Sequence, residues 1–189
     1  MVTERKFTRF NSGRSTSTGK TDESPMSLKE IPPGGVCLSA FLVVSDREDK
    51  SNVLMGRFDP SAPWDHIGAL DPARVEVHSK GWMLPSSHLI VHESPQDAAR
   101  RIAVEQLDLG KIEISEPKIV SEVYPPKNFP ELGEHWDLEF IFSRVIPNMG
   151  KRSVAFRELR FIIPEETKRS EISRSHDDVL TSLGYKFSS

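Results

Sequence analysis

The sequence predicts an α+β domain. Three observations carry this expectation. Apolar runs of strand length stand on both sides of one long helix. That helix has a recognisable start, apolar stripe and end. Strands and helices do not alternate regularly, as they would in a doubly wound parallel sheet. A length of 189 residues suits one domain around one core. The expected organisation is a flexible polar tail over residues 1–30 and a single folded domain over 31–189.

Each element follows from local composition. Residues 3–20 hold five basic residues, Arg5, Lys6, Arg9, Arg14 and Lys20, and Asn11–Lys20 has no apolar face, as in a solvated tail. Ile31-Pro-Pro-Gly-Gly35 reads as a turn, because proline fixes φ and glycine permits positive φ. Val36–Val44 is β-branched and apolar, a buried strand, and Asn52–Arg57 reads as its returning hairpin partner. Phe58–Trp64 is a loop, and Val75–His78 alternates like a short strand. Ser94 is a good N-cap, Pro95 fits the first helical position, and Ala98, Ala99, Ile102, Ala103 and Leu107 recur at helical spacing. This predicts a helix at about 95–108, with Gly110 as its left-handed stop. Ile112–Val123 reads as one strand, or two with a turn at Glu116-Pro117, Trp136–Phe142 and Phe156–Ile163 as later strands, Tyr124–Gly133 as a proline-rich loop able to line a site, and His176–Leu183 as a closing helix.

Composition excludes several classes. The net charge of −3 calls for no nucleic-acid partner globally, although Arg144–Arg174 holds eight basic residues against four acidic ones. No run approaches the roughly 18 apolar residues of a membrane span, and the first 30 residues contain no secretory apolar segment. With a single cysteine, Cys37, no intrachain disulfide can form. A cytoplasmic protein without a membrane partner is the expectation. There is no glycine-rich phosphate loop and no GxSxG, and one cysteine offers no convincing Cys–His pairing. His88 and His92 are four apart, but Ser94-Pro95 follows them, so they lie in a loop rather than on a zinc-binding helix.

The segment Leu84–Leu109 reads LPSSHLIVHESPQDAARRIAVEQLDL. Ser87 is followed after five residues by Glu93, and after seven more by Arg101-Ile-Ala-Val-Glu-Gln-Leu-Asp-Leu109. This resembles, with its spacing complete, the signature of the Nudix hydrolase family: Gly, five residues, Glu, seven residues, then Arg-Glu-aliphatic-x-Glu-Glu-x-Gly-aliphatic. The flanks agree, and the resemblance covers about residues 35–184. It implies an α/β/α sandwich with a mixed sheet and the signature helix at about 95–108.

The resemblance also implies where chemistry would sit and where the chain departs from it. In the family three helix glutamates bind divalent metal against a substrate diphosphate. The matching positions here are Ile102, Glu105 and Gln106, so one carboxylate of three remains. Both signature glycines are replaced, by Ser87 and Asp108. Mg²⁺ or Mn²⁺ would want oxygen ligands, and Ile102 offers none while Gln106 offers a neutral amide. Glu105 is left as the metal-ligand candidate, with Arg101 and Glu93 completing the polar scaffold. Glu93, Asp97, Asp137, Glu139 and Glu158 are the carboxylates that could compensate. Arg57, Tyr124, Phe129 and Gln106 are candidates to touch a ligand, the aromatics by stacking and the arginine through phosphate.

Three functional expectations follow. The first is a Nudix-like domain that binds a nucleotide or another diphosphate-linked ligand, with hydrolysis weak or lost. The second is an active metal-dependent pyrophosphohydrolase that borrows ligands from other strands. The third is a non-enzymatic RNA-binding or assembly module, motivated by the basic tail and the Arg144–Arg174 region.

Overall fold

The computed structural model describes residues 9–10, 32, 34–124, 133–147, 149 and 153–188. Strands β1 (Arg9–Phe10), β2 (Val36–Ser45), β4 (Ser86–His88), β5 (Lys118–Tyr124) and β6 (His135–Val145) form one sheet. In it β2 runs parallel to β6 over ten residue pairs, from Val36↔Trp136 to Ser45↔Val145, and every other pairing is antiparallel. Strands β3 (Val53–Phe58) and β7 (Phe156–Ile162) make a second, antiparallel sheet. The helices are α1 (Trp64–Ile67), α2 (Pro72–His78), α3 (Pro95–Leu107) and α4 (His176–Ser182).

The long apolar run of β2 is explained by burial on both faces. Ala40, Leu42 and Val44 join the core cluster built with Ala98, Ile102 and Leu107 of α3. Phe41 and Val43 face the other way, into a second cluster with Val179 and Leu180 of α4. Two apolar layers on one mixed sheet give the expected sandwich. No helix of the described residues is long and apolar enough to cross a membrane.

Several local expectations change. β2 and β3 do not form a hairpin, because β3 takes β7 as its partner and β2 takes β4 and β6. Gly56 of β3 packs so closely under the Phe156 ring that a Cβ would come within 2.3 Å of it. Val75–His78 is helical, since the Asp71 side chain accepts from the Arg74 amide and Pro72 occupies the first helical position. Of the 112–123 segment only the part beyond Glu116-Pro117 is a strand, and it runs on to Tyr124 (Lys118–Tyr124). Of the segment read as a tail, Arg9–Phe10 pair with Cys37 and Val36.

Helix α3 begins as read. Ser94 Oγ accepts from the Asp97 amide at 3.1 Å, with Pro95 next in line. Its left-handed end is Asp108 (φ 52°, ψ 33°) rather than Gly110, so the residue at the signature's glycine position adopts the conformation glycine favours. Asp108→Gly is therefore expected to stabilise the chain by about 0.5–1 kcal/mol, read as a higher urea midpoint at unchanged slope.

Candidate functional site

The polar scaffold of the signature is a buried ion pair that ties β4 to α3. Arg101 Nε donates to Glu93 Oε1 at 2.7 Å and Nη2 donates to Oε2 at 2.9 Å. Nη2 also donates to the His88 carbonyl at 3.0 Å, and Nη1 to Ser87 Oγ at 3.3 Å. Glu93 Oε2 accepts a further bond from the Ile90 amide. The two side chains are only 10% and 12% exposed, so this bidentate pair is well shielded and well satisfied. Glu105 Oε2 lies 4.0 Å from Arg101 Nη1, on the same helix and nearer the surface.

The two other family glutamate positions face inward. Ile102 is fully buried in the α3 core cluster. Gln106 is also fully buried, and its amide is used at both ends. Oε1 accepts from the Ser86 amide at 3.1 Å, while Nε2 donates to the Ser86 carbonyl at 2.8 Å and the Ile67 carbonyl at 3.1 Å. Gln106 thus clamps α3 to β4 and to α1, and presents nothing to a ligand.

The other sequence-named residues separate. Arg57 lies on β3, stacked 4.5 Å over Trp82 and 3.8 Å from Glu158, and does not line the cavity on the α4 face. Tyr124, at the end of β5, lines a cavity on the α4 face. Phe129 lies outside the described residues. Asp137 and Glu139 are in register with Cys37 and Ser39, on the sheet face opposite α3, so they cannot share a cation with Glu105. Among the described residues no three His, Cys, Asp or Glu side chains are placed to hold a metal ion.

The cavity is about 730 Å³, within the range of ligand pockets. Its floor is the odd-numbered face of β2 and β6, and its far wall is the Arg169–Asp178 segment. Ser39 Oγ donates to Asp137 Oδ1 at 3.1 Å, so the His88 Nδ1, 3.2 Å from the same oxygen, is the donor in that contact. His135 Nε2 meets Asp137 Oδ2 at 3.2 Å. His88 links the two regions: its ring lines the cavity while its carbonyl is held by Arg101. The signature scaffold therefore positions one wall of the cavity.

Charge in the cavity is divided. One pole holds Arg74, His78 and Arg174. Arg174 is half-buried, and burial with the neighbouring Arg74 charge brings its guanidinium down to about 10. It forms no hydrogen bond or ion pair with another described residue, and it stands with Ser175 in consecutive left-handed conformations (φ 60° and 56°). Burial, then the charges of Arg174 and Arg74, lower His78 to about 4, so it is neutral at pH 7. His176 is neutral too, held far down by burial, and its Nδ1 accepts from the Leu84 amide at 2.9 Å. The other pole is acidic. Glu139 is 3% exposed, and burial, then Asp137, Glu122 and Asp178, push it up to about 8. The same burial, with the Glu139 charge, raises Tyr124.

Sequence reading missed most of this cavity. The alternation His135, Asp137, Glu139 on β6 carried the one available signal, a polar stripe on a single strand face. Arg74, His78 and Arg174 come from segments without pattern and meet only in the fold.

Protein-family models and curated proteins give no match to this chain. Solved structures do. A MutT NUDIX hydrolase from Burkholderia pseudomallei superposes with a TM-score of 0.53 at 12% identity, over 78% of this chain and 98% of that one. A MutT protein from Methanosarcina mazei gives 0.51 at 14% identity, over 79% and 93%. A C. elegans Ap4A hydrolase gives 0.50 at 15%, over 78% and 95%. At such identities the likeness is one of architecture, and it agrees with the mixed sheet, the capped helix and the spacing of Glu93, Arg101 and Glu105: this chain has the Nudix fold.

Proposed function

We propose that the chain binds a nucleotide or another diphosphate-linked ligand in the cavity on the α4 face, with hydrolysis weak or absent. One observation carries this reading: two of the three positions that would bear metal-binding glutamates are committed to structure, Ile102 to the core and Gln106 to a buried clamp. Glu105 alone, beside Arg101, is not a donor set that fits Mg²⁺ or Mn²⁺. The divided charge of the cavity supports a ligand with an anionic end and a polar ring. The C. elegans protein of similar fold is an Ap4A hydrolase, which is consistent with that ligand class.

The test pairs binding with turnover. ADP-ribose, dinucleoside polyphosphates, nucleoside triphosphates and capped RNA are titrated by calorimetry and assayed for phosphate or nucleotide release, with Mg²⁺, Mn²⁺ or EDTA. Binding that survives EDTA without release is the expected result. Release that falls by at least about 10²-fold in Glu105→Gln would establish instead an active metal-dependent pyrophosphohydrolase. Binding confined to RNA and steeply salt-dependent would make the chain an RNA-binding module.

A further inference from the structure

Glu139 lines the cavity, is almost wholly buried, and its Oε2 has no hydrogen-bond partner among the described residues. Buried polar atoms in folded proteins are nearly always partnered, so an orphan facing a cavity points to a ligand. Four acidic or phenolic groups surround it: Asp137 on its own strand, Glu122 and Tyr124 on β5, and Asp178 on α4. Across β2 its neighbour in register is uncharged Ser39. Asp137 is already occupied by Ser39 and His135. Arg174, in the same cavity and without a hydrogen bond or ion pair to another described residue, senses the Asp137 charge. Asp137 itself is two residues, roughly 7 Å, along the strand face from Glu139.

Resting on the nucleotide reading above, we propose that the cavity takes an adenine- or cytosine-type nucleotide, with Glu139 reading the ring edge and Arg174 receiving the phosphate end. A protonated carboxyl offers one donor and one acceptor side by side. That can pair with a ring nitrogen acceptor beside an exocyclic amine, the edge shared by adenine and cytosine, and equally with the ring N–H beside a carbonyl of guanine and uracil, so the choice falls to the groups around it. The surrounding carboxylates favour the amine and oppose the carbonyl oxygens that guanine and uracil present at the same place. An ionised Glu139 has two acceptors and no donor, and can no longer satisfy the ring nitrogen.

The experiment is equilibrium binding of ADP, CDP, GDP, UDP and inorganic diphosphate to the full chain and to Glu139→Gln, at pH 6.5 and pH 9. The Gln amide presents an N–H donor beside its carbonyl acceptor and does not titrate. With Glu139 titrating near 8, the wild-type affinity for ADP or CDP should fall about 10-fold over this range relative to Glu139→Gln at the same pH, which cancels titration of the ligand. The wild-type ADP-to-GDP ratio should fall with it, and that measurement needs no variant. Inorganic diphosphate should be indifferent to Glu139→Gln. Identical pH profiles in the two proteins, with an ADP-to-GDP ratio flat in pH, would overturn the role of Glu139. So would preference for GDP or UDP at pH 6.5. Either result leaves the nucleotide reading standing, whereas no binding by any of the five ligands removes both.

Discussion

Gln106→Glu is expected to destabilise the chain by about 3–5 kcal/mol at pH 7, rather than to restore a metal ligand. The buried amide donates to two carbonyls, Ser86 and Ile67, and accepts from one amide. An ionised carboxylate keeps the acceptor role but turns both donor contacts into repulsions between oxygens in a dry site. The new carboxyl would have its folded-state value raised by burial. The ionisation part of the penalty is therefore absent well below the unfolded-state value, where the group is protonated in both states, and grows as pH rises through that value; a smaller, pH-independent part remains, because a protonated carboxyl has one donor for two carbonyls. Urea denaturation at pH 4 and pH 7 checks both size and sign. Equal stability of variant and wild type at pH 7 would show that Gln106 is not the clamp described. Ile102→Glu places a charge among Ala98, Leu107 and Phe142 and should be worse still. The missing carboxylates are thus built into the packing of α3, and point substitution does not bring them back.

Arg101→Met is the second large effect, with an expected loss of about 3–5 kcal/mol. It removes a guanidinium that holds Glu93, Ser87 and the His88 carbonyl, and leaves the Glu93 carboxylate buried without its cation. Replacing Glu93 as well, in Arg101→Met/Glu93→Leu, removes the stranded charge, so the double variant should lose clearly less than the sum of the singles. Additive losses would mean that the two side chains act independently. Because His88 lines the cavity, the single variant should also weaken ligand binding by more than its residual folded fraction accounts for.

Legibility in the sequence followed the range of the interaction. The start of α3 is local chemistry, a serine cap followed by proline, and it reads directly. β2 reads as a strand from its own residues, but its parallel partner β6 lies about a hundred residues later, and local pattern alone favours the nearest apolar run as its hairpin mate. At Val75–His78 the Val-Glu-Val alternation suggested a strand, yet Asp71 and Pro72 nucleate a helix there. The signature spacing singles out Glu93, Arg101 and Glu105, and the fold brings these three side chains together. It also placed Gln106 among ligand-touching residues, because a helical wheel orders directions and does not reveal which of them is core. The cavity depends on convergence of β6, α2 and the turn before α4, and no local pattern encodes that meeting.

The two faces of β2 give the domain a particular vulnerability. Even-numbered residues, Leu38, Ala40 and Leu42, serve the α3 core, while odd-numbered Cys37, Ser39 and Phe41 form the cavity floor. A slip of one residue against β6 would exchange the two sets, driving Ser39 into the apolar layer and leucines into the polar chamber. The ten-pair ladder that prevents this is held at one end by the Gly34 amide on the Glu134 carbonyl and at the other by the Ile146 amide on the Ser45 carbonyl. Insertions that break either contact therefore threaten binding and folding together, whereas insertions among the exposed residues 47–51, beyond the Ser45–Asn52 and Asp46–Asn52 hydrogen bonds, threaten neither.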